Sequence, residues 1–376
     1  MISIMKHVLA AAMTICVFAT AAAAAVVVAE EGGGGGGCRA EEAVFFNFGD
    51  SNSDTGGVAA GLGYHFPLPD GRAFFRRPTG RLCDGRLVVD FLCESLPTRY
   101  LSPYLEALGS DFSNGANFAV AGSTTLPNNV PFALRIQVQQ FLHFRSRSLE
   151  LSAQGFGATV DEDGFGRALY SIDIGQNDLT GIVGSRLPYD QMIARIPPVV
   201  GEIRSAVTTL YNTGARNFWI HNTGPLGCLP EKLAAPRKDD SDLDAYGCLK
   251  TANDVAREFN SQLSTICDEM RSELRNSTIV YTDIFAIKYD LIANYTSYGF
   301  EKPLTACCGY GGPPYNYNRS VTCLNPACQV CDDGAKYISW DGVHYTEAAN
   351  SAVANKILTA EYSNPRTEFG FFCSTT

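Results

Sequence analysis

Two short motifs near opposite ends of the chain contain residue types that together can cleave an ester. Ser51 lies in the motif FGDS, and Asp341 precedes His344 by three residues in the motif DGVH. A carboxylate at that spacing can accept the Nδ1 proton of the imidazole, which leaves Nε2 free to take a proton from a serine hydroxyl. A serine is a poor nucleophile without such a base. The motifs therefore predict acyl-enzyme chemistry, with Ser51, Asp341 and His344 as the catalytic residues.

Two further motifs offer donors for the oxyanion of a tetrahedral intermediate. Gly122 ends the run NFAVAG, and a glycine there lets a backbone N–H approach a substrate closely. Asn177 lies in the motif GQND and offers a side-chain amide. We expect the N–H groups of Ser51 and Gly122 and the amide of Asn177 to form an oxyanion hole. One such donor is typically worth on the order of 10²–10³ in rate.

Each motif alone has a simpler interpretation. Ser51 would suit a turn or a helix cap, and His344 would suit a hydrogen-bonded surface histidine. All four motifs together, three of them at strand ends or just before a helix, are difficult to attribute to chance. Because Ser51 and His344 lie far apart in the chain, one fold must bring them together. This favours one catalytic domain over the two domains that a length of 376 residues would suggest.

The predicted elements place these motifs at one edge of a sheet. Short apolar runs predict buried strands at 44–48, 168–174, 217–221 and 278–284, and periodic runs predict helices at 199–211, 253–275 and 346–360. Strands that alternate with helices predict an α/β sandwich with a mostly parallel sheet. Sites in such sheets form at the carboxyl ends of the strands, and Ser51 and Asn177 directly follow two of them.

The composition is that of a globular protein without a nucleic-acid partner. Hydrophobic residues make up 45% of the chain, and the formal net charge is −10. Nucleic-acid binding needs a basic footprint, which an acidic balance does not favour. The chain has no Gly-x-Ser-x-Gly motif, which weighs against a nucleophile-elbow hydrolase. Asp341 and His344 are too few ligands to suggest a metal, and the chemistry needs no cofactor.

The N-terminus has the pattern of a targeting segment. Lys6 precedes an apolar run at 8–28 that is rich in alanine, and two glutamates follow it. This predicts a cleaved secretory signal peptide at 1–29, with an uncleaved signal anchor as the alternative. Residues 30–43 then form a Gly-rich linker, and 44–376 form the hydrolase domain. Either alternative places the domain in the secretory lumen.

The cysteines and sequons agree with that compartment. Twelve of the 13 cysteines lie outside the leader, and most are expected to be oxidised. Cys228 and Cys248 could close a loop, and the cluster from Cys307 to Cys331 is expected to tie down the segment before Asp341. The pair Cys328 and Cys331 has CxxC spacing, for which we favour structural disulfides over zinc or redox chemistry. Three sequons predict glycosylation at the surface, at Asn276, Asn294 and Asn318.

Blocks along nearly all of the mature chain resemble the plant GDSL esterase/lipase family within the SGNH hydrolases. The matching blocks are FNFGDSNSDTGG (46–57), GANFAVAGST (115–124), DIGQND (173–178), NTGPLGCLP (222–230), ACCGYGGPPYNYN (306–318) and SWDGVHYTEAAN (339–350). The resemblance implies a flavodoxin-like three-layer α/β/α sandwich. It also implies Ser51 as nucleophile, Gly122 and Asn177 in the oxyanion hole, and Asp341 and His344 as the rest of the triad.

The leading functional hypothesis is a carboxylic-ester hydrolase of the secretory pathway. The form GDSNSDTGG resembles a subgroup that includes acetyl esterases of cell-wall polysaccharides and glycosides. We therefore expect the substrate to be an O-acetylated glycan such as xylan, in the Golgi lumen or the cell wall. The alternatives are a lipid or cutin esterase, an acyltransferase that uses the same triad, and a non-catalytic carbohydrate-binding protein. No membrane contact is expected beyond an N-terminal anchor, because the body lacks a basic amphipathic helix.

Overall fold

The computed structural model describes residues 43–127 and 130–374. The predicted signal peptide or anchor at 1–29 lies outside the described residues, as does the predicted linker at 30–43 apart from its last residue. Within the described ranges, no helix is both long enough and apolar enough to cross a membrane.

The described residues contain ten strands, and six of them form the central sheet. All ten strands, in chain order, are β1 (Phe45–Gly49), β2 (Gly115–Asn117), β3 (Leu169–Asp173), β4 (Asn217–His221), β5 (Thr278–Thr282), β6 (Lys302–Ala306), β7 (Cys308–Gly309), β8 (Gln329–Val330), β9 (Tyr337–Ser339) and β10 (Ser363–Asn364). The sheet has the order β2-β1-β3-β4-β5-β10, and only β10 runs antiparallel to its neighbour. The pairs β6–β9 and β7–β8 form two small separate sheets.

The order of the first five strands is that of the flavodoxin-like doubly wound fold. In that fold the strand order reverses between β1 and β3, and ligands bind in the crevice at the carboxyl ends of those two strands. Gly49 at the end of β1 is in register with Asp173 at the end of β3. The segments that follow these residues, which contain Ser51 and Asn177, therefore lie side by side at the switch point.

Helices cover the sheet in two layers. They are α1 (Gly57–Leu62), α2 (Val88–Ser95), α3 (Leu134–Ala153), α4 (Glu162–Arg167), α5 (Gln176–Gly184), α6 (Tyr189–Ile193), α7 (Ile196–Asn212), α8 (Pro230–Leu233), α9 (Lys250–Glu273), α10 (Ile284–Ala293), α11 (Glu347–Leu358) and α12 (Phe371–Ser374). One layer contains α3, α7 and α9, and the other contains α2, α11 and α10. The fold is an α/β/α sandwich, as the sequence predicts.

Aromatic side chains fill the space between β1, β3 and α3. Phe46 packs within 6 Å of the ring centroids of Phe141, Phe144, Phe165 and Tyr170. All five side chains are buried. Burial of this much apolar surface is the main stabilising contribution to such a domain. It fixes β1, and so fixes the position at which the chain enters the segment with Ser51.

The predicted strands and helices agree with the structure to within a few residues, but several observed elements have no predicted counterpart. The longest of these is helix α3, in which Leu134, Val138 and Phe141 follow helical spacing and are buried. The segment 307–337 has little secondary structure, as expected for a loop held by cysteines.

Candidate active site

Ser51 lies in a turn that begins where β1 ends, and we call residues 49–55 the serine turn. The N–H of Asp50 donates to the backbone oxygen of Asp173 at 3.3 Å, which ties the turn to the end of β3. A Cβ on Gly49 would collide with the same oxygen, so only glycine allows the two strand ends to approach this closely. Ser51, which follows this edge of the sheet, is buried and only 7% exposed.

Two buried side chains that sequence reasoning did not identify hold the serine turn in place. Gln137 of α3 accepts from the N–H of Gly49 at 2.9 Å and donates to its carbonyl oxygen at 2.8 Å. Asp54 accepts from the backbone N–H groups of Gly56 at 2.8 Å and Val58 at 3.0 Å, and also from Gly57. These bonds satisfy buried backbone groups at a point where the chain leaves the sheet.

Asp54 also joins the serine turn to the loop that contains Gly122. Its Oδ2 accepts from the N–H of Ala121 at 2.7 Å. The next residue, Gly122, has φ +83, a conformation that favours glycine, and a Cβ there would meet open space. The loop thus turns at Gly122 while its preceding residue is held against the serine turn. A carboxylate of the serine turn, rather than strand pairing, therefore holds the loop just before Gly122.

Asn177 occupies the first turn of α5, directly after β3. Its Nδ2 donates to the backbone oxygen of Ser123 at 2.8 Å, and it lies 3.5 Å from Oδ2 of Asp50, at the limit of a hydrogen bond. The amide therefore lies between the Gly122 loop and the serine turn. The structure brings Ser51, Gly122 and Asn177 to one edge of the sheet.

Asp341 and His344 lie in a second segment, residues 339–345, which we call the histidine loop. His344 Nδ1 and Asp341 Oδ2 are 2.6 Å apart, and Oδ1 of the same carboxylate accepts from the N–H groups of Val343 and His344 at 2.9 and 2.8 Å. The three bonds fix the carboxylate against the ring. His344 Nε2 is buried and has no hydrogen-bond partner within the described residues.

The pair shifts both ionisation equilibria. Burial acts to lower the pKa of His344, but the adjacent Asp341 carboxylate outweighs it, and the pKa is raised above its usual 6.5. Burial acts to raise the pKa of Asp341, but the imidazole and the two N–H donors outweigh it, and the pKa is lowered. This arrangement suits an ionised carboxylate that orients an imidazole and stabilises its protonated form.

Asp50 connects the two halves of the site electrostatically. The Asp50 carboxylate acts to raise the pKa of His344, and His344 acts to lower the pKa of Asp50, so the charges of the serine turn and the histidine loop influence each other. Burial, followed by repulsion from Asp173, raises the pKa of Asp50 to about 7, against the hydrogen bonds from Asn52. Asp50 is visible in the sequence as part of the motif FGDS, but the motif does not predict this role.

Two disulfides stabilise the segment that is hydrogen-bonded to the start of the histidine loop. Cys307 bonds to Cys331, and Cys308 bonds to Cys323. The N–H of Cys307 donates to the oxygen of Ser339 at 3.0 Å, and the N–H of Cys308 donates to that of Trp340 at 2.6 Å. The cluster is thus tied to the segment directly before Asp341, as the sequence predicts, and the two adjacent cysteines bond to different partners.

The remaining cysteines follow the prediction in part. Cys228 bonds to Cys248, as expected. Cys331 of the CxxC pair forms a disulfide, but Cys328 does not: its thiol lies 2.8 Å from the oxygen of Thr322 and is free within the described part of the chain. Three buried cysteines are also free there: Cys83, Cys93 and Cys267. That most of the 12 non-leader cysteines are oxidised stays a prediction, because the structure does not describe all of them. The predicted sequons Asn276, Asn294 and Asn318 are exposed.

Two neighbouring aromatic residues, Phe74 and Phe75, pack against arginine side chains. Phe74 stacks under the guanidinium of Arg86 at 3.9 Å, and Phe75 lies 4.8 Å from that of Arg81.

Within the ranges that the structure describes, no group of three or more acidic, histidine or cysteine side chains is arranged to hold a metal ion.

Comparison with known proteins identifies the family. The profile of the GDSL-like Lipase/Acylhydrolase family matches residues 45–357. The GDSL esterase/lipase At1g09390 of Arabidopsis thaliana is 58% identical over 334 residues, which are 88% of this chain and 90% of that protein. Alpha-L-fucosidase 3 of the same plant is 42% identical over 334 residues, 84% of this chain and 89% of that protein. The solved phospholipase A1 from Streptomyces albidoflavus NA297 covers 85% of this chain and 99% of its own, with 12% identity and a TM-score of 0.40.

A serine at the switch point of this sandwich, opposite a buried Asp–His pair, is the arrangement of an SGNH-superfamily ester hydrolase. The chain belongs to the GDSL-like lipase/acylhydrolase family, since the profile spans most of it and a relative with 58% identity matches along 88% of its length. It is therefore a serine hydrolase that acts on ester bonds.

Proposed function

We propose that Ser51, His344 and Asp341 form the catalytic triad and that the enzyme removes O-acetyl groups from a plant cell-wall polysaccharide such as xylan. The observation that supports the triad most strongly is His344 itself. Its Nδ1 is hydrogen-bonded to Asp341, and its Nε2 is buried with no hydrogen-bond partner among the described residues. A buried imidazole nitrogen left open in this way suits a base that awaits a hydroxyl proton.

The reaction proceeds in two displacements. Nε2 of His344 takes the hydroxyl proton while Ser51 Oγ bonds to the ester carbonyl carbon. The protonated imidazole then gives that proton to the sugar oxygen, the C–O bond breaks, and the deacetylated sugar leaves. Water attacks the acetyl-serine with His344 again as base, and acetate departs as Ser51 regains its proton. Asp341 stays ionised and stabilises the imidazolium in both steps.

The oxyanion of each tetrahedral intermediate is stabilised by three donors. They are the N–H groups of Ser51 and Gly122 and the amide of Asn177. The anchoring of that amide on Ser123 supports the assignment, because a preorganised donor needs no rearrangement when negative charge develops. Asp50 serves as a positioning residue: its carboxylate lies 3.5 Å from the Asn177 amide and accepts from the N–H of Asn52, directly after Ser51, at 3.0 Å.

Three observations support a glycan in the secretory pathway as the substrate. The three disulfides suit an oxidising compartment. The exposed sequons are available for glycosylation there, at Asn276, Asn294 and Asn318. A relative with 42% identity is named for action on a fucoside, which points to sugars. We therefore place the enzyme in the Golgi lumen or the cell wall, with residues 1–29 as its signal peptide or anchor.

One feature favours a second candidate, the hydrolysis of lipid or cutin esters. Leu62, Tyr64 and Leu68 follow one another closely in the chain and are 43%, 58% and 55% exposed. This segment directly follows α1, whose first residues are bonded to Asp54 of the serine turn. An exposed apolar surface near an esterase site would suit a long acyl chain.

A substrate series separates the two candidates. The specificity constant kcat/KM is measured for p-nitrophenyl esters from acetate to palmitate, together with acetate release from acetylated xylan, for the wild type and for Ser51→Ala. We expect kcat/KM to be highest for acetate, acetate to be released from the polymer, and both activities to be lost in the variant. A kcat/KM that rises with chain length, without acetate release, would favour the lipid candidate. Ester formation with an added acceptor alcohol would identify acyl transfer.

A further inference from the structure

A groove next to the histidine loop is lined mainly by cationic side chains, although the protein as a whole is acidic. It has a volume of about 490 Å³. Four cationic side chains and one carboxylate line it, while the whole chain has a net charge of −10. The cations are Arg186, Lys232, Arg237 and Arg319. A local excess of positive charge in an acidic protein is expected where an anion binds.

Two of these cations lack internal partners. Lys232 pairs with Glu231 at 3.2 Å, and Arg237 pairs with Asp240 at 2.7 Å. Neither Arg186 nor Arg319 forms an ion pair or a side-chain hydrogen bond among the described residues. Both residues are exposed and line one cavity, where like charges repel unless an anion is bound between them. Arg186 and Arg319 could therefore each bind a carboxylate, since guanidinium groups bind carboxylates through paired hydrogen bonds.

The wall of the groove contacts the histidine loop. Tyr317 lines the groove, and its ring packs directly on Gly342 of the histidine loop. The N–H of Glu231 donates to the oxygen of the same glycine at 3.0 Å. Helix α5 connects the two sites as well, since it begins beside Asn177 and ends in the groove wall at Gly184. Seven residues of helix correspond to roughly 10 Å.

The chemistry of the lining suits a sugar chain. Tyr317 also lines a second cavity of about 510 Å³, which shares Arg237 with the first and contains Tyr315. The Tyr315 hydroxyl accepts from Arg237 at 3.2 Å. Aromatic faces beside hydrogen-bonding groups suit sugar rings, which have apolar faces and polar edges. The two cavities adjoin, because Ala234, Ala235, Arg237 and Tyr317 line both of them. Asp239 and Asp240 line only the second cavity, so the excess of positive charge lies in the first.

We propose that this groove binds the carboxylate-bearing sugars of an acidic polysaccharide and so directs esters on neighbouring sugars to Ser51. This inference rests on the proposed function for its purpose, but binding of the acidic sugar does not depend on hydrolysis. It narrows the substrate from any acetylated glycan to one that contains uronic acids. It also assigns Arg186 and Arg319 as specificity residues outside the reacting centre.

The sequon at Asn318 affects access to the groove. Asn318 lines the groove and is exposed. A glycan on Asn318 would stand at the groove wall and screen the cations from a polymer. Binding should therefore be measured on protein from a host that adds N-glycans and on Asn318→Gln from the same host.

The test is isothermal titration calorimetry of the full secreted chain with trigalacturonate and with neutral xylotriose. The groove variant is Arg186→Gln/Arg319→Gln. The control, Arg275→Gln/Arg366→Gln, removes the same charge from exposed positions outside the groove. We expect trigalacturonate to bind the wild type or Asn318→Gln at least several-fold more tightly than xylotriose. The groove variant, made in whichever background binds, should weaken this affinity by roughly five- to tenfold, and the control should not.

Several results would overturn the inference. They are equal affinity for the acidic and neutral sugars, no binding in either glycosylation state, and equal loss of affinity in the groove and control variants. Hydrolysis of p-nitrophenyl acetate by the same preparations is the separate readout for the proposed function. An inactive wild type that still binds trigalacturonate through Arg186 and Arg319 would refute the esterase assignment and leave the groove assignment intact.

Discussion

The two halves of the candidate active site are held in place by different means. The serine turn begins at a buried strand of the main sheet. The side chain of Gln137 bonds the backbone of Gly49, and the buried Asp54 of the turn bonds the start of α1 and the loop that contains Gly122. The histidine loop lies outside that sheet, and the disulfides Cys307–Cys331 and Cys308–Cys323 hold the strand that leads into it.

The difference follows from how much core each segment has. Phe46 and Phe48 anchor the serine turn in a large aromatic cluster. At the histidine loop, Tyr345 joins the main core, but Trp340 packs in a small separate cluster with Cys307 and Cys308. A segment with so little apolar burial needs covalent closure to resist local unfolding. The nucleophile should therefore be robust to reduction, and the base should not.

The largest expected effect tests whether the histidine loop supplies the base. His344→Ala should lower kcat for p-nitrophenyl acetate on the order of 10⁴-fold, because Ser51 then has no group to take its proton. The matched control is His143→Ala, which removes an exposed histidine from α3. Near wild-type turnover in a folded His344→Ala protein would show that the catalytic base lies elsewhere.

The next effect tests the covalent closure. Cys308→Ser/Cys323→Ser should accelerate hydrogen exchange in the histidine loop, since the lost disulfide contributes about 2–4 kcal/mol to holding it. Exchange in the serine turn and the far-UV circular dichroism should stay unchanged, and kcat should fall. Equal acceleration of exchange in both segments would mean that they unfold as one unit, and the distinction between the two halves would be wrong.

A smaller effect tests the polar network behind the serine turn. Gln137→Ala leaves the buried N–H of Gly49 without its acceptor, so we expect the free energy of unfolding to fall by about 1–3 kcal/mol. The control is Gln140→Ala on the same helix, where the replaced amide oxygen has no partner among the described residues. Urea denaturation of both variants gives the comparison. Equal losses would indicate that helix packing, rather than this bond, is responsible.

The smallest effect is a shift in pH dependence. His344 cannot accept a proton while it is protonated, and Asp341 raises its pKa above 6.5. Activity should therefore fall as the pH decreases through a midpoint above 6.5. Because Asp50 has a pKa of about 7 and also titrates in this range, Asp341→Asn is needed to identify the group. In the residual activity of that variant, the midpoint of kcat/KM should move to lower pH, and an unmoved midpoint would assign the titration to another residue.

The sequence predicts the sheet well because its strands are marked locally. The runs that become β1, β3, β4 and β5 are apolar and short, and each predicted range contains all or nearly all of the observed strand. The helix at 253–275 is also clear, because its apolar residues share one face and are buried in α9. Helix α3 was missed although its buried residues are helically spaced, because charged and polar residues separate them.

The supporting residues of the site could not be predicted in the same way. Gln137 contacts Gly49 across 88 residues of sequence, and no local pattern distinguishes it from Gln140 on the same helix. The pairing of Cys307 with Cys331 and of Cys308 with Cys323 likewise depends on the folded path of the loop. Motifs locate the groups that react, whereas the groups that position them become visible only in three dimensions.

The central claim is that Ser51 is the nucleophile and that the histidine loop activates it. The most direct measurement is labelling of the folded enzyme with a fluorophosphonate, which phosphonylates an activated serine oxygen with loss of fluoride, followed by peptide mass spectrometry. The account predicts one label per chain on Ser51, loss of hydrolysis in proportion to labelling, and little labelling of His344→Ala. A label on a different residue, or full hydrolysis by a protein labelled at Ser51, would contradict it.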